Sequence, residues 1–392
     1  MPNFDALIVG GGAIGLSLAW EMSRRGHRVA VVDRGDVGRE ASWAAAGMIP
    51  AGPDEHCLAL ATPLEQLAGL SQRLHPRWHQ ELREITGIDS GYQPTGGVEL
   101  AMTLPEAGPL RAKVQRCRQL GMAVQTLDRG ELIELEGELG RAAHRMQCAV
   151  YHAGEAQLRS PRWLRALVAA CRENGVEFFS QSPVERWESS GRVLDAAVTR
   201  TQPISAAHYC LTAGCWTEQL AQQVGVPLPT RPIRGQMLLL ESPPGAMRRH
   251  VCVGPRYLVP RTDGRVLVGS TEEEVGFEKG NTPDATDQLR RFATGLVAAA
   301  ERWPLETVWS GLRAGTADGL PTIGRAPAFE NLWLATGHYR GGIQLGPATA
   351  VLLADLIEQR RPAIDPADFD PARFVTAATR PAGQWSEESS PP

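Results

Sequence analysis

Residues 4–33 constrain this chain most, because FDALIVGGGAIGLSLAWEMSRRGHRVAVVD reads as a strand, a glycine turn, a helix and a second strand. Phe4 to Val9 is an apolar run of buried-strand length, and Gly10, Gly12 and Gly15 fill the three positions of a G-x-G-x-x-G fingerprint. Gly10 permits the tight turn, Gly12 lets backbone approach a pyrophosphate, and Gly15 lets the helix lie close on the strand. The helix, expected from Ile14 to Arg25 and ended by Gly26, aims its unpaired N–H groups at that turn. Arg28 to Val32 forms the second strand. Asp33 ends it, eighteen residues after Gly15, close to the spacing at which an acid meets ribose hydroxyls. The expected class is α/β: a Rossmann-like nucleotide domain joined to a second domain.

Composition narrows the partners. A chain of 392 residues with 43% hydrophobic and 21% charged residues can bury ample core. A net charge of −4 without a Lys/Arg block argues against nucleic acid, and no apolar run is long enough to span a membrane. Seven cysteines without a C-x-x-C pair point to reduced thiols and a cytoplasmic protein. His75 and His79 lack a third metal ligand nearby, so no metal site is expected. The oligomeric state stays open, a homo-oligomer included.

Along the chain, the small residues from Ala41 to Gly47 predict a short helix capped by Ser42 and wedged against a ligand. A helix over 62–87 is expected to break at Pro76, and 131–138 to be acidic and exposed. Ser160 caps a helix that stops at Gly175. Strands and turns then lead to Thr212-Ala213-Gly214 and a helix from Trp216. Residues 227–275 alternate apolar and polar between turn signals, as antiparallel strands flooring a pocket do. LWLATGHYRGGIQLGPATAVLLADLIEQRR is a strand, a glycine turn and a last helix, beginning near Gly346. Nothing between 50 and 150 forms a chemical constellation. No nucleophile, general-base histidine or carboxylate pair stands out, so no catalytic side chain is assigned. Two arginines do stand out: Arg313 in WSGLRAGTADGLPTIG and Arg340 in GHYRGGIQLG. Their planar forks suit a carboxylate. The structural alternative pairs each with an acid such as Asp318 or Glu272.

GGGAIG together with ASWAAAGM resembles the glycine oxidase and D-amino acid oxidase group of flavoproteins, in which both segments hold FAD. GLRAGTADGLPTIG followed by GHYRGGIQLGPA extends the resemblance from residue 4 to about 360. It implies FAD contacts from Gly10, Gly12, Ala13, Ile14, Gly15, Asp33 and Arg34, and from Ala41, Ser42, Ala46, Gly47 and Met48. Further contacts are implied from Val184, Ala213, Gly214 and Trp216, and from His338, Tyr339, Arg340, Gly341, Gly342, Ile343 and Gln344. Around the substrate it implies Arg313 gripping the carboxylate, Tyr257 of RYLVPR as a second donor, and Arg340, Glu272 and Met48 beside them. Two departures stand out: Gly341 replaces an expected asparagine, and Glu272 an expected apolar residue. No cysteine follows Cys252, so the FAD is expected to be noncovalent.

By that resemblance the FAD-binding domain comprises 1–50, 150–225 and 318–375, the substrate domain 51–149 and 226–317, and a disordered tail 376–392. The implied activity is oxidation of glycine and related small amines by molecular oxygen, giving hydrogen peroxide and serving thiamine thiazole synthesis. The rivals are a D-amino acid or sarcosine dehydrogenase with another electron acceptor, an NAD-linked dehydrogenase, and a noncatalytic flavoprotein subunit.

Overall fold

A computed structural model of the chain describes residues 3–377. The opening motif folds as its pattern dictates: strand Phe4–Val9, helix Ala13–Arg24, strand Val29–Val32. Every residue of the second strand is buried, as a central parallel strand covered on both faces requires. Phe4–Val9 sits inside a six-stranded sheet, flanked by Val29–Val32 and Glu177–Phe179 on one side. On the other side lie Ala206–Leu211, Leu332–Thr336 and Thr322–Arg325. All pairings are parallel except that of the edge strand Thr322–Arg325.

One face of this sheet carries helices Ala13–Arg24, Ser160–Glu173 and Gly342–Ile357, with Pro63–Thr86 packed against them around Trp78 and Trp163. The helix Pro63–Thr86 runs through Pro76 without ending. Its capping box at Thr62 and the burial of His75, Trp78 and Leu82 outweigh one missing hydrogen bond. The other face is covered by the three-stranded sheet of Val184–Ser190, Val193–Thr199 and Pro203–Ile204, and by residues such as Val226 and Phe329.

The second layer is an eight-stranded sheet in the order Leu305–Thr316, Thr230–Glu241, Arg265–Gly269, Arg256–Pro260, His250–Val253, Gly97–Ala101, Cys148–His152, Val124–Leu127. All its pairings are antiparallel save that of His250–Val253 with Gly97–Ala101. The mostly antiparallel substrate sheet is therefore present, and Cys148–His152 carries it past residue 150.

Several boundaries differ from the sequence reading. The helix near residue 41 spans only Glu40–Ala44 with Arg39 at its cap, because Ser42 is engaged elsewhere. Arg159, not Ser160, occupies the cap position of the next helix, and the Ser160 hydroxyl donates to the Ala45 carbonyl. The last long helix begins at Gly342, one turn before Gly346. Glu136 is buried rather than exposed, accepting from the Arg248 and Arg249 backbone N–H groups. Residues 376 and 377 end the helix Ala372–Ala377; the rest of the expected tail, 378–392, lies outside the described residues. No helix of the described residues is long and apolar enough to cross a membrane.

Candidate cofactor and substrate site

The parallel strands end at a cleft of about 320 Å³, at the point where the sheet order turns back on the first strand. Two glycine turns meet beneath it. Gly10 adopts φ 108°, and an added Cβ there would come within 2.7 Å of Ala213 Cα. The Thr212 hydroxyl donates to the Gly10 carbonyl at 2.7 Å, tying the second turn to the first. A Cβ on Gly15 would fall 2.0 Å from the same carbonyl, so only glycine lets the helix sit so close.

The start of the first helix lines the cleft. Its cap residue Gly12 supplies no side-chain hydrogen bond, while Ser42 Oγ reaches across to accept from the Ala13 N–H at 2.8 Å. Ser42 thus caps a helix twenty-nine residues upstream instead of its own. Asp33 Oδ2 accepts from the Gly11 N–H at 2.7 Å and Oδ1 from the Gly35 N–H at 2.8 Å, which holds the carboxylate at the strand end. Gly10, Gly12, Ala13, Ile14, Asp33, Arg34, Ala41 and Ser42 line the cleft from one side, and Val184, Ala213, Gly214 and Trp216 from another. His338, Tyr339 and Gly342 close its far end beside Arg313. A cleft over a helix start, with bare glycine backbone at the bend, suits a pyrophosphate-bridged dinucleotide such as FAD.

Other expected residues lie behind this lining. Gly15 is below the turn. Gly47 accepts from the Leu158 N–H, and Ala46 accepts from Arg261, while Met48 packs on the cluster of Ala46, Met237, Tyr257 and Val259. Gly341 caps the last long helix, Ile343 is core, and the Gln344 carbonyl faces Ser71 and His75. Residues not singled out from the sequence also line the cleft, among them Gly11, Ser182, Pro183, Thr336 and Gly337. Gly337 follows the strand Leu332–Thr336 as Gly10 follows the first, which is the signal that could have found it. Arg34 is exposed, yet its guanidinium has company: its Cζ sits 3.6 Å from the Trp216 ring centroid and Nη2 3.3 Å from Glu40 Oε1. From the other layer, Lys279 pairs with Glu40 at 2.7 Å and Phe277 meets Trp216 with ring centroids 5.8 Å apart. No sequence pattern joins these positions.

The two arginines separate in role. Arg313 Nη2 donates to Ser270 Oγ at 2.6 Å and Nη1 to the Thr271 carbonyl at 3.2 Å. Both partners are neutral, and among the described residues Arg313 takes part in no ion pair. Of its two candidate acids, Asp318 pairs with Arg373 and Glu272 with Arg340. Arg340 also donates to the Pro255 carbonyl at 2.7 Å, and its Cζ lies 6.0 Å from the Tyr257 ring centroid. Tyr257 is buried, its hydroxyl donating to Met237 Sδ at 3.3 Å, a weak acceptor that a carboxylate would displace. Burial pushes the His338 imidazole down to about 3, so it stays neutral, with Nε2 3.0 Å from Thr349 Oγ1.

A cluster of charge forms where Glu99 and Lys113 meet His152 from beyond residue 150: Lys113 Nζ lies 2.9 Å and His152 Nε2 3.2 Å from Glu99 Oε2. Glu155 Oε2 lies 2.6 Å from His250 Nε2 across the same sheet.

A family model described as FAD dependent oxidoreductase matches residues 5–356. The glycine oxidase of Geobacillus kaustophilus is 36% identical over 376 residues, 95% of this chain and 98% of that protein. A crystal structure of glycine oxidase from that organism superposes with a TM-score of 0.87, at 34% identity, over 97% of this chain and 99% of the other. The glycine oxidase of Pseudomonas aeruginosa is 37% identical over 369 residues, 93% of this chain and 98% of that protein. A bifunctional protein ThiO/ThiG of Trichormus variabilis is 33% identical over 362 residues, 91% of this chain and 53% of that protein. With its cleft, its paired glycine turns and a family match running almost from end to end, this chain belongs to the FAD dependent oxidoreductases.

Proposed function

We propose that the chain oxidises glycine and related small amines such as sarcosine and small D-amino acids. The products are the imine, then the 2-oxo acid and ammonia, with oxygen reduced to hydrogen peroxide. The observation that carries this reading is Arg313: a guanidinium at the cleft whose hydrogen-bond partners are all neutral, ready for a small carboxylate. FAD bound in the cleft supplies the electron acceptor for breaking the α-C–H bond.

The chain's own residues bind and position. The Gly12 and Ile14 backbone N–H groups would face the pyrophosphate, Asp33 the ribose, and Gly342 lies where the isoalloxazine end would reach. Arg313 and the Tyr257 hydroxyl orient the carboxylate, so the α-carbon is presented rather than activated. Met48, Met237 and Val259 around Tyr257 keep that corner dry, which favours the unprotonated amine the reaction needs. No acid–base side chain is required, and neutral His338 is committed to Thr349.

The division into an FAD-binding domain of 1–50, 150–225 and 318–375 and a substrate domain of 51–149 and 226–317 belongs to this reading, as does noncovalent attachment. Similarity to the ThiO half of a ThiO/ThiG protein supports a role in supplying thiazole for thiamine. Seven free cysteines support a cytoplasmic setting.

The test is an anaerobic titration of the purified yellow protein against a panel of small amines. Glycine is expected to bleach the flavin, and air to restore the colour with formation of peroxide. A flavin left oxidised by every amine tried, or bleaching without peroxide when oxygen is the sole acceptor, would overturn the assignment.

A further inference from the structure

We infer that Glu272 acts as a charge filter, holding Arg340 away from the substrate so that the site takes amines with one carboxylate and turns away those with two. This rests on the reading above that the site oxidises small amino acids.

Two arginines bear on this site, Arg313 in the cleft wall and Arg340 beside the Tyr257 ring, and they are not equivalent. Arg313 spends its hydrogen bonds on a serine hydroxyl and a backbone carbonyl, so its positive charge is unmatched. Arg340 has one arm on Glu272 and the other on the Pro255 carbonyl, which occupies the fork a carboxylate would use. Tyr339, which immediately precedes Arg340 in the chain, lines the cleft. The neighbouring acid, Glu273, is committed to Arg234, Thr271 and Gln236, so it adds no free charge.

The substrate corner therefore carries two cations and one anion, a net of one positive charge. A single carboxylate completes it. A second would meet the Glu272 carboxylate and find Arg340 already taken, which is discrimination by a repulsive element as much as by an attractive one. The Glu272 and Arg340 side chains are both partly exposed, at 32%, where an ion pair adds little to stability. Neutralising Glu272 changes the selectivity of the pocket without dismantling the fold.

The experiment uses Glu272→Gln, Arg340→Gln and the double variant as FAD-loaded proteins, in two readouts. Binding of acetate and of malonate is followed by perturbation of the flavin absorbance, which needs no turnover. Steady-state kinetics compare glycine with iminodiacetate.

In Glu272→Gln the malonate-to-acetate affinity ratio and the iminodiacetate-to-glycine kcat/KM ratio are each expected to rise at least tenfold. The double variant is expected to lose that gain, because Arg340 is the group set free. Ratios within twofold of the parent in Glu272→Gln, or a gain that survives in the double variant, would overturn the filter. Acetate binding without oxidation of glycine would overturn the proposed reaction and leave the filter standing. Neither acid perturbing the flavin of the parent protein would remove both.

Discussion

The guanidinium of Arg313 lies over Gly235 on the paired strand, where an added Cβ would come within 2.2 Å of Nη2. The missing side chain opposite is what lets the fork reach Ser270 and Thr271 while still facing the cleft. Arg313→Ala removes one partner of a charge-assisted pair and is expected to weaken acetate binding by roughly 2–5 kcal/mol. Gly235→Ala is expected to act in the same direction and more weakly, since the atom it crowds is the end of a flexible side chain. Arg313→Lys is expected to bind poorly as well, because a point charge does not reproduce the fork. Titration of each variant checks this; an acetate affinity unchanged in Arg313→Ala would remove the residue from the site.

Among the elements, the start of Gly342–Ile357 depends most on its surroundings. Pro347 lies in its first turns and lacks the N–H that would answer the Ile343 carbonyl. The helix Pro63–Thr86 supports the next rung, between Gln344 and Ala348. Ser71 Oγ donates to the Gln344 carbonyl at 2.5 Å and accepts from the Ala348 N–H at 3.3 Å, so one hydroxyl stands inside the helical ladder. His75 Nε2 lies 3.0 Å from the same carbonyl. Burial drives this imidazole down to about 4, which keeps it neutral and makes Nε2–H the donor. His75→Phe fills similar space beside Trp163 but withdraws the donor from a buried carbonyl. It is expected to cost about 1–3 kcal/mol in urea unfolding of the FAD-saturated protein. A loss below about 0.5 kcal/mol, within the range of ordinary surface substitutions, would show that Ser71 alone holds the turn.

For the molecule as a whole, buried histidines set opposite slopes of stability with pH. His75 and His338, held down to about 4 and about 3 by burial, take up protons on unfolding once the pH falls below about 6.5. Stability is lost from there toward pH 4 and then 3, by up to about 1.4 kcal/mol per unit for each histidine. His152 runs the other way. Burial disfavours its charged form, but the Cys117 thiol, the Glu99 carboxylate 3.2 Å from Nε2 and the nearby Glu155 charge prevail and push it up to about 9. Its contribution is complete below about 6.5 and is lost as the pH rises through 9. Urea midpoints between pH 4.5 and 9.5 are expected to peak near neutrality, and a midpoint flat from 6.5 down to 4.5 would contradict the acid limb.

What the sequence determined by itself was local. Gly10, Gly12, Gly15 and Asp33 announce the nucleotide turn because the backbone there demands glycine and an acid at set spacings, and the alternation over 227–275 announces antiparallel strands because side chains alternate across a sheet. Arg313 and Arg340 were legible as unusual arginines from their apolar and glycine-rich company. Long-range pairing was not legible. Ser42 capping another helix, Glu272 capturing Arg340 while Arg313 stays unmatched, and Ser71 and His75 completing a helix more than 260 residues away were decided by tertiary structure. In each case a polar group was satisfied by whichever partner the packing of layers brought within reach, and no spacing along the chain records that choice.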